Sequence, residues 1–165
     1  MNSRNKVGFA YVIEELNARG ELLSREVAHN LMPKEATNYM LASSFKGCVQ
    51  YNNWFAGLFS GNYAPSGNET MATFPADATE FTGYSGASRP QVVFGNPVNG
   101  RIDNAANLIE LTFSEDVEVR GGFLATSSGK GATTGVLGSV VAFSSPKRPG
   151  VGGVLRLAVA QELVG

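Results

Sequence analysis

Val136-Leu137-Gly138-Ser139-Val140-Val141-Ala142-Phe143 is bounded by Gly135 and Ser144 and reads as a β-strand. Successive side chains of a strand point to opposite faces. Leu137, Val141 and Phe143 are thereby expected on one face, and Val136, Val140 and Ala142 on the other. A sandwich strand ordinarily keeps one face wet. Apolar residues on both faces call for a second covering layer, from central burial within the chain or from another subunit.

The same pattern extends in both directions. Val49–Phe59 is an aromatic strand with Trp54, Ala56 and Leu58 on one face and Phe55, Gly57 and Phe59 on the other. Gln91–Phe94, Leu108–Phe113, Val117–Leu124 and Val154–Val159 are short runs bounded by Gly, Pro, Asn or Ser. At the N-terminus Val7, Phe9, Tyr11 and Ile13 alternate with Gly8, Ala10, Val12 and Glu14. A turn at Asn17–Gly20 then leads back along Leu22–Ala28, so the first 30 residues read as a hairpin. The spacing predicts one helix over 33–46. Asn30 is a candidate cap, Pro33 suits the first turn, Glu35 complements the dipole, and Gly47 is the stop. Ala36, Tyr39, Met40 and Ser43 give that helix one packing face. Residues 60–89 exceed the usual connection of about 4–6 residues. They read as functional, as an assembly contact, or as containing short elements such as a helical turn at Ala76–Glu80. Short strands every ~10–15 residues without βαβ alternation indicate a mainly β, antiparallel sandwich or barrel. The expected division is a hairpin or arm at 1–30 and a sandwich domain at 31–165 that includes the helix.

Composition removes several classes of function. The chain has 165 residues, net charge −1, 20 glycines, and one each of Cys, His and Trp. Only 16% of its residues are charged, against about 25% in ordinary soluble domains. One Cys and one His do not make the usual four-ligand zinc site, and a lone Cys48 makes no intrachain disulfide. Near-zero charge leaves no electrostatic footprint for nucleic acid. No apolar run reaches the roughly 18 residues of a membrane helix. Glu14 and Glu15 arrive too early for a signal-peptide core, so a chain made in the cytoplasm is expected.

The candidate chemistry is thin. His29 is the one imidazole, but no nucleophile motif such as GxSxG accompanies it. Glu14 and Glu15 are adjacent on a strand and point apart. Glu115, Asp116 and Glu118 lack the ligand spacing of a calcium loop. Ser127–Thr134 lacks the glycine spacing and the following helix of a phosphate loop, and reads as a tight strand connection. Cys48 reads as a small core residue. Pro146-Lys147-Arg148-Pro149-Gly150 is a basic knot expected at an exposed hairpin tip. Tyr51, Trp54, Phe55 and Phe59 could stack on sugars, though their strand spacing favours core packing. No catalytic residue, cofactor or metal ligand is expected.

Several segments in order carry a resemblance: Val27–Pro33, Trp54–Tyr63, Thr73–Ala76, Thr79–Tyr84, Ala87–Arg89, Gly121–Leu124, Lys130–Leu137 and Phe143–Pro146. Together they resemble a family of small structural proteins of tailed bacteriophages. Gly150-Val151-Gly152-Gly153-Val154-Leu155 departs from the pattern, lacking the acidic residue expected after the glycine. The resemblance implies a capsid cement (decoration) protein, similar to the jelly-roll dimers or trimers fixed outside phage heads. It implies the major capsid protein and further copies of this chain as partners, no nucleic acid, no membrane, and a place on the capsid exterior. Expected contact regions are 1–30, 60–89 and 145–150, with Phe9, Tyr11, Tyr63, Phe74, Tyr84, Arg89, Lys147 and Arg148 as candidate interface residues. The alternatives are a tail, head–tail connector or fibre-base component, and a carbohydrate-binding β-sandwich module.

Overall fold

Alternation at the N-terminus produces strand β1 (Phe9–Leu16), which turns through Asn17–Gly20 into β2 (Leu22–His29). The computed structural model describes residues 7–30 and 32–163. Helix α1 (Lys34–Phe45) follows, one residue shorter at each end than the expected 33–46. Gly47 just beyond it takes φ +66°, which suits a residue without Cβ. Asn30 does not cap the helix. Its side-chain oxygen accepts the Phe9 N–H at 2.7 Å and extends the β1–β2 pairing instead.

The remaining elements are β3 (Trp54–Phe59), the single turn α2 (Phe74–Asp77), β4 (Glu80–Phe81), β5 (Gln91–Val92), β6 (Arg101–Asp103), β7 (Ile109–Thr112), β8 (Val119–Ala125), β9 (Leu137–Lys147) and β10 (Val154–Glu162). The strand expected over 49–59 begins only at Trp54. Before it, the Tyr51 N–H donates to the Tyr39 hydroxyl at 2.7 Å, which ties this stretch to α1 as a loop. Cys48 lies exposed in that loop and is not a core residue.

The strands form two antiparallel sheets. Sheet A has the order β2-β1-β10-β6, with β7 also paired to β10; sheet B has the order β4-β3-β8-β9, with β5 paired to β3. The chain crosses between sheets at β2→β3, β5→β6, β7→β8 and β9→β10, while β1–β2 and β8–β9 remain hairpins within one sheet. This is the mainly β sandwich with one flanking helix and an N-terminal hairpin that the strand spacing leads one to expect. The described part of the hairpin is no separate arm. β1 pairs with β10 along its whole length, from Phe9↔Gln161 to Leu16↔Val154. Residues 1–6 of the expected arm lie outside the described residues.

Two apolar cores result. Phe9, Tyr11, Ile13, Leu155, Leu157 and Val159 from sheet A meet Ala56, Leu58, Leu124, Val141 and Phe143 from sheet B. The second core lies on the other side of sheet B, where Phe59, Phe123, Leu137 and Val140 are covered by Met71, Phe74 and Ala78. The dry outer face thus receives its covering layer from residues 60–79 of the same chain. Leu137 is on this side because the ladder slips between Leu124↔Ser139 and Ala125↔Leu137. Gly138 is the extra residue of that bulge. The expected grouping of Leu137 with Val141 and Phe143 is therefore corrected.

Glycine makes the outer core possible. Gly57 pairs with Phe123, and Gly121 with Phe59. A Cβ at Gly57 would collide with the Phe123 ring, and one at Gly121 with the Phe59 ring and the Val141 carbonyl. Each ring lies across the bare backbone of the opposite strand. Phe74 completes the stack, edge-on to Phe59 at 5.7 Å and to Phe123 at 5.2 Å between centroids.

Candidate functional site

The outer face of sheet A has no covering layer among the described residues. Its side chains fall into cross-strand rows. One row crosses β2, β1, β10 and β7 as Arg25, Glu14, Arg156 and Glu110. The ion pairs run Arg25–Glu14 at 3.5 Å, Glu14–Arg156 at 3.4 Å and Arg156–Glu110 at 3.0 Å. The next row is apolar: Val27, Val12 and Ala158 stand opposite one another. Leu108, just before β7, lines one depression with Val12 and Ala158. Leu23, Val27 and Leu108 are 52%, 53% and 42% exposed. Exposed pairs of this kind contribute little stability, about 0–1 kcal/mol each. Their information is in their order.

The edge of this face is tied to sheet B. Glu26 of β2 accepts the Ser144 N–H at 2.9 Å and the Ser144 hydroxyl at 2.8 Å, and pairs with the Lys147 ammonium at 2.7 Å. Burial works against the Glu26 charge, but the bonds from Lys147 and Ser144 outweigh it and hold the carboxyl below its usual range. Glu15 accepts the Arg148 N–H at 2.7 Å and the Ser24 hydroxyl at 2.7 Å. Arg148 binds Asp116 through two bonds of 2.8 and 2.9 Å, which lowers the Asp116 carboxyl.

An open groove of about 610 Å³ lies at the far end of sheet B, between loop 50–53 and the β8–β9 connection. Gln50, Asn52, Ser128 and Thr134 line it beside Tyr51 and Phe55, and no charged side chain does so among the described residues. Its β8–β9 wall is anchored from beneath. Buried Arg89 donates to both carboxylate oxygens of Glu80 at 2.8 Å, to the Ser127 carbonyl and hydroxyl at 2.9 and 3.0 Å, and to the Ala132 carbonyl at 3.3 Å. The Gly131 N–H donates to Glu80 at 2.8 Å. Lys130 lies over the Tyr84 ring at 3.8 Å and donates to the Thr82 and Tyr84 carbonyls. Ser127–Thr134 is thus the strand connection expected, held rigidly. A smaller apolar cavity of about 200 Å³ opens under α1, lined by Met32, Met40, Trp54 and Phe94. Trp54 faces this cavity and not the groove.

The structure redistributes the expected interface residues. Phe9 and Tyr11 belong to the inner core and Phe74 to the outer one. Tyr84 is buried against Phe81, and Arg89 is the anchor under the groove. Lys147 is buried on Glu26 and Pro149 is buried too, while Pro146 and Arg148 are exposed, so the basic knot is an exposed tip only in part. These six side chains have no surface to present and are corrected as contact residues. Tyr63 is half-buried against Phe74, and burial together with the Glu69 charge raises its hydroxyl. Only Arg148 is well exposed. Segment 60–89 does not project over its first part; Glu35 accepts N–H groups from both Met71 and Leu137, at 2.9 and 2.7 Å, and pins it to β9. His29 lies exposed at the end of β2.

The residues missed are Leu23, Arg25 and Val27 with their partners across sheet A. Their alternation along β2 was legible, but not which strands would stand beside it. Among the described residues, no group of three His, Cys, Asp or Glu could hold a metal, and no helix is long and apolar enough to cross a membrane. No family model, curated protein or solved structure matches this chain.

Proposed function

We propose that this chain is a structural component of a tailed-phage virion, a cement protein that stabilises the head by bridging major capsid subunits. The carrying observation is the outer face of sheet A. It belongs to one of two packed sheets and exposes Leu23, Val27 and Leu108 around an ordered charge row. Exposed apolar surface of that kind marks protein contact, and a lattice multiplies a modest contact by repeating it. The sequence resemblance points the same way. The test is to purify virions of the phage that encodes the chain and count its copies. Copies in proportion to the capsid lattice, with heads lacking it less resistant to heat, support the reading. Six or twelve copies favour the tail or connector alternative, and absence from the virion overturns both.

The groove beside Tyr51 supports a second reading, a carbohydrate-binding module. Uncharged amides and hydroxyls next to aromatic rings suit a neutral sugar, and the Arg89–Glu80 anchor limits the entropy lost on binding. An array of neutral glycans probed with the chain and with Tyr51→Ala tests it. Binding lost in the variant supports it; no binding to the array overturns it.

A further inference from the structure

We infer that two copies of this chain pair face to face through the outer face of sheet A, about a two-fold axis parallel to the strands. The inference rests on reading that face as an assembly surface.

The charge row reads Arg25, Glu14, Arg156, Glu110 across four neighbouring strands. A half-turn about an axis lying in the face, along the strands and between β1 and β10, reverses the order of the row on the facing copy. Arg25 then meets Glu110 of the second copy, and Glu14 meets Arg156 of the second copy. All four positions face the opposite sign, and each contact occurs twice, as an isologous interface requires. A half-turn about an axis along the row would set every residue against itself. An alternating row with an odd number of members would reverse onto itself and repel. This row is even, so it is complementary to its own copy in one orientation.

The apolar row obeys the same operation. Rotation about an axis along the strands keeps each row at its own height. Val27 therefore meets Leu108 of the second copy, and Val12 meets Ala158 of the second copy. Apolar contact supplies the affinity, while charge order sets register and excludes wrong pairings. Strands about 4.8 Å apart and rising about 3.4 Å per residue give a face of roughly 19 by 27 Å. That is ~500 Å² a side, below the ~800 Å² per partner of a standard interface. The free pair is accordingly a micromolar one, strengthened where a lattice holds both copies.

Sedimentation equilibrium of the full chain tests this. A monomer–dimer equilibrium in the micromolar range is expected, weakening with added salt. Arg25→Glu sets like charges together twice per pair and should weaken it at least tenfold. The fourfold variant Arg25→Glu, Glu14→Arg, Arg156→Glu and Glu110→Arg preserves the alternation and the ion pairs within each chain. It should dimerise like the wild type yet form no mixed dimer with it, because the two rows then meet with like signs. A chain monomeric to millimolar concentration overturns the inference, as does free mixing of the fourfold variant with wild type. The cement reading is judged separately, by copies on the head. A monomer that still decorates heads overturns the pairing alone, and a selective dimer absent from virions upholds the pairing while overturning the cement reading.

Discussion

Arg89 has five N–H donors, and the fold offers an acceptor to each within 3.3 Å, two of them on the buried Glu80 carboxylate. A fully satisfied buried pair adds little net stability, but removing one partner strands the other. Arg89→Met is expected to cost about 3–5 kcal/mol in urea unfolding, and to release loop 127–134 first in amide hydrogen exchange. Two buried tyrosines make a finer comparison. The Tyr11 hydroxyl bonds to the Ser139 hydroxyl at 2.7 Å, whereas the Tyr84 hydroxyl has no partner among the described residues. Tyr11→Phe should lose about 1 kcal/mol, and Tyr84→Phe should lose none, when both are measured by denaturant midpoint. Neither outcome could be foreseen from the tyrosines themselves. Arg89 and Tyr84 fall within the long segment 60–89 expected to make contacts, and the partners that bury them, Ser127, Ala132 and Phe113 among them, are remote in the chain.

β2 and β9 are the outer strands on one side of the sandwich, and their attachment runs through Glu26, Ser144 and Lys147. Glu26 ionises at lower pH in the folded chain than in the unfolded one. Its contribution is therefore complete above the ordinary glutamate range and disappears as pH falls through the folded value. The stability difference between wild type and Glu26→Gln should be largest near pH 7 and should shrink steadily toward pH 3. A difference that stays constant across that range would contradict this account of the tie between the strands. The elements themselves were largely legible. Period-two alternation located β1, the turn at Asn17–Gly20 located β2, runs bounded by turn residues located β8, β9 and β10, and the stretch between Pro33 and Gly47 located α1 to within a residue at each end. The Gly138 bulge was not legible, because a glycine within a strand is compatible with regular pairing and with slippage alike.

Residues 60–79 turn a two-layer sandwich into one with a third, irregular layer. Met71, Phe74 and Ala78 are essentially without solvent contact. Phe74→Ala should cost about 3–5 kcal/mol. It should also uncover Phe59 and Phe123, which increased binding of an apolar dye and concentration-dependent aggregation would report. Coverage of sheet B by its own chain also closes that face to solvent. With that face closed, sheet A is the broad sheet surface left open among the described residues, and its charge row is the ground for the proposed pairing of two copies.

Local sequence was sufficient for the β class, for most strand and turn positions, and for the long helix α1. These depend on side-chain alternation, on glycine at positive φ and on the proline and glycine that bound the helix, all of which act over a few residues. Poverty in charge and abundance of glycine likewise announced strands with two dry faces. What covers each face depended on tertiary neighbours. Arg25, Glu14, Arg156 and Glu110 form a row only after strands from both ends of the chain are side by side. Phe59 and Phe123 find their glycine seats only through the β3–β8 register. Alternation tells a strand that it has two faces, but the pairing of distant strands determines which face is buried and which is left open.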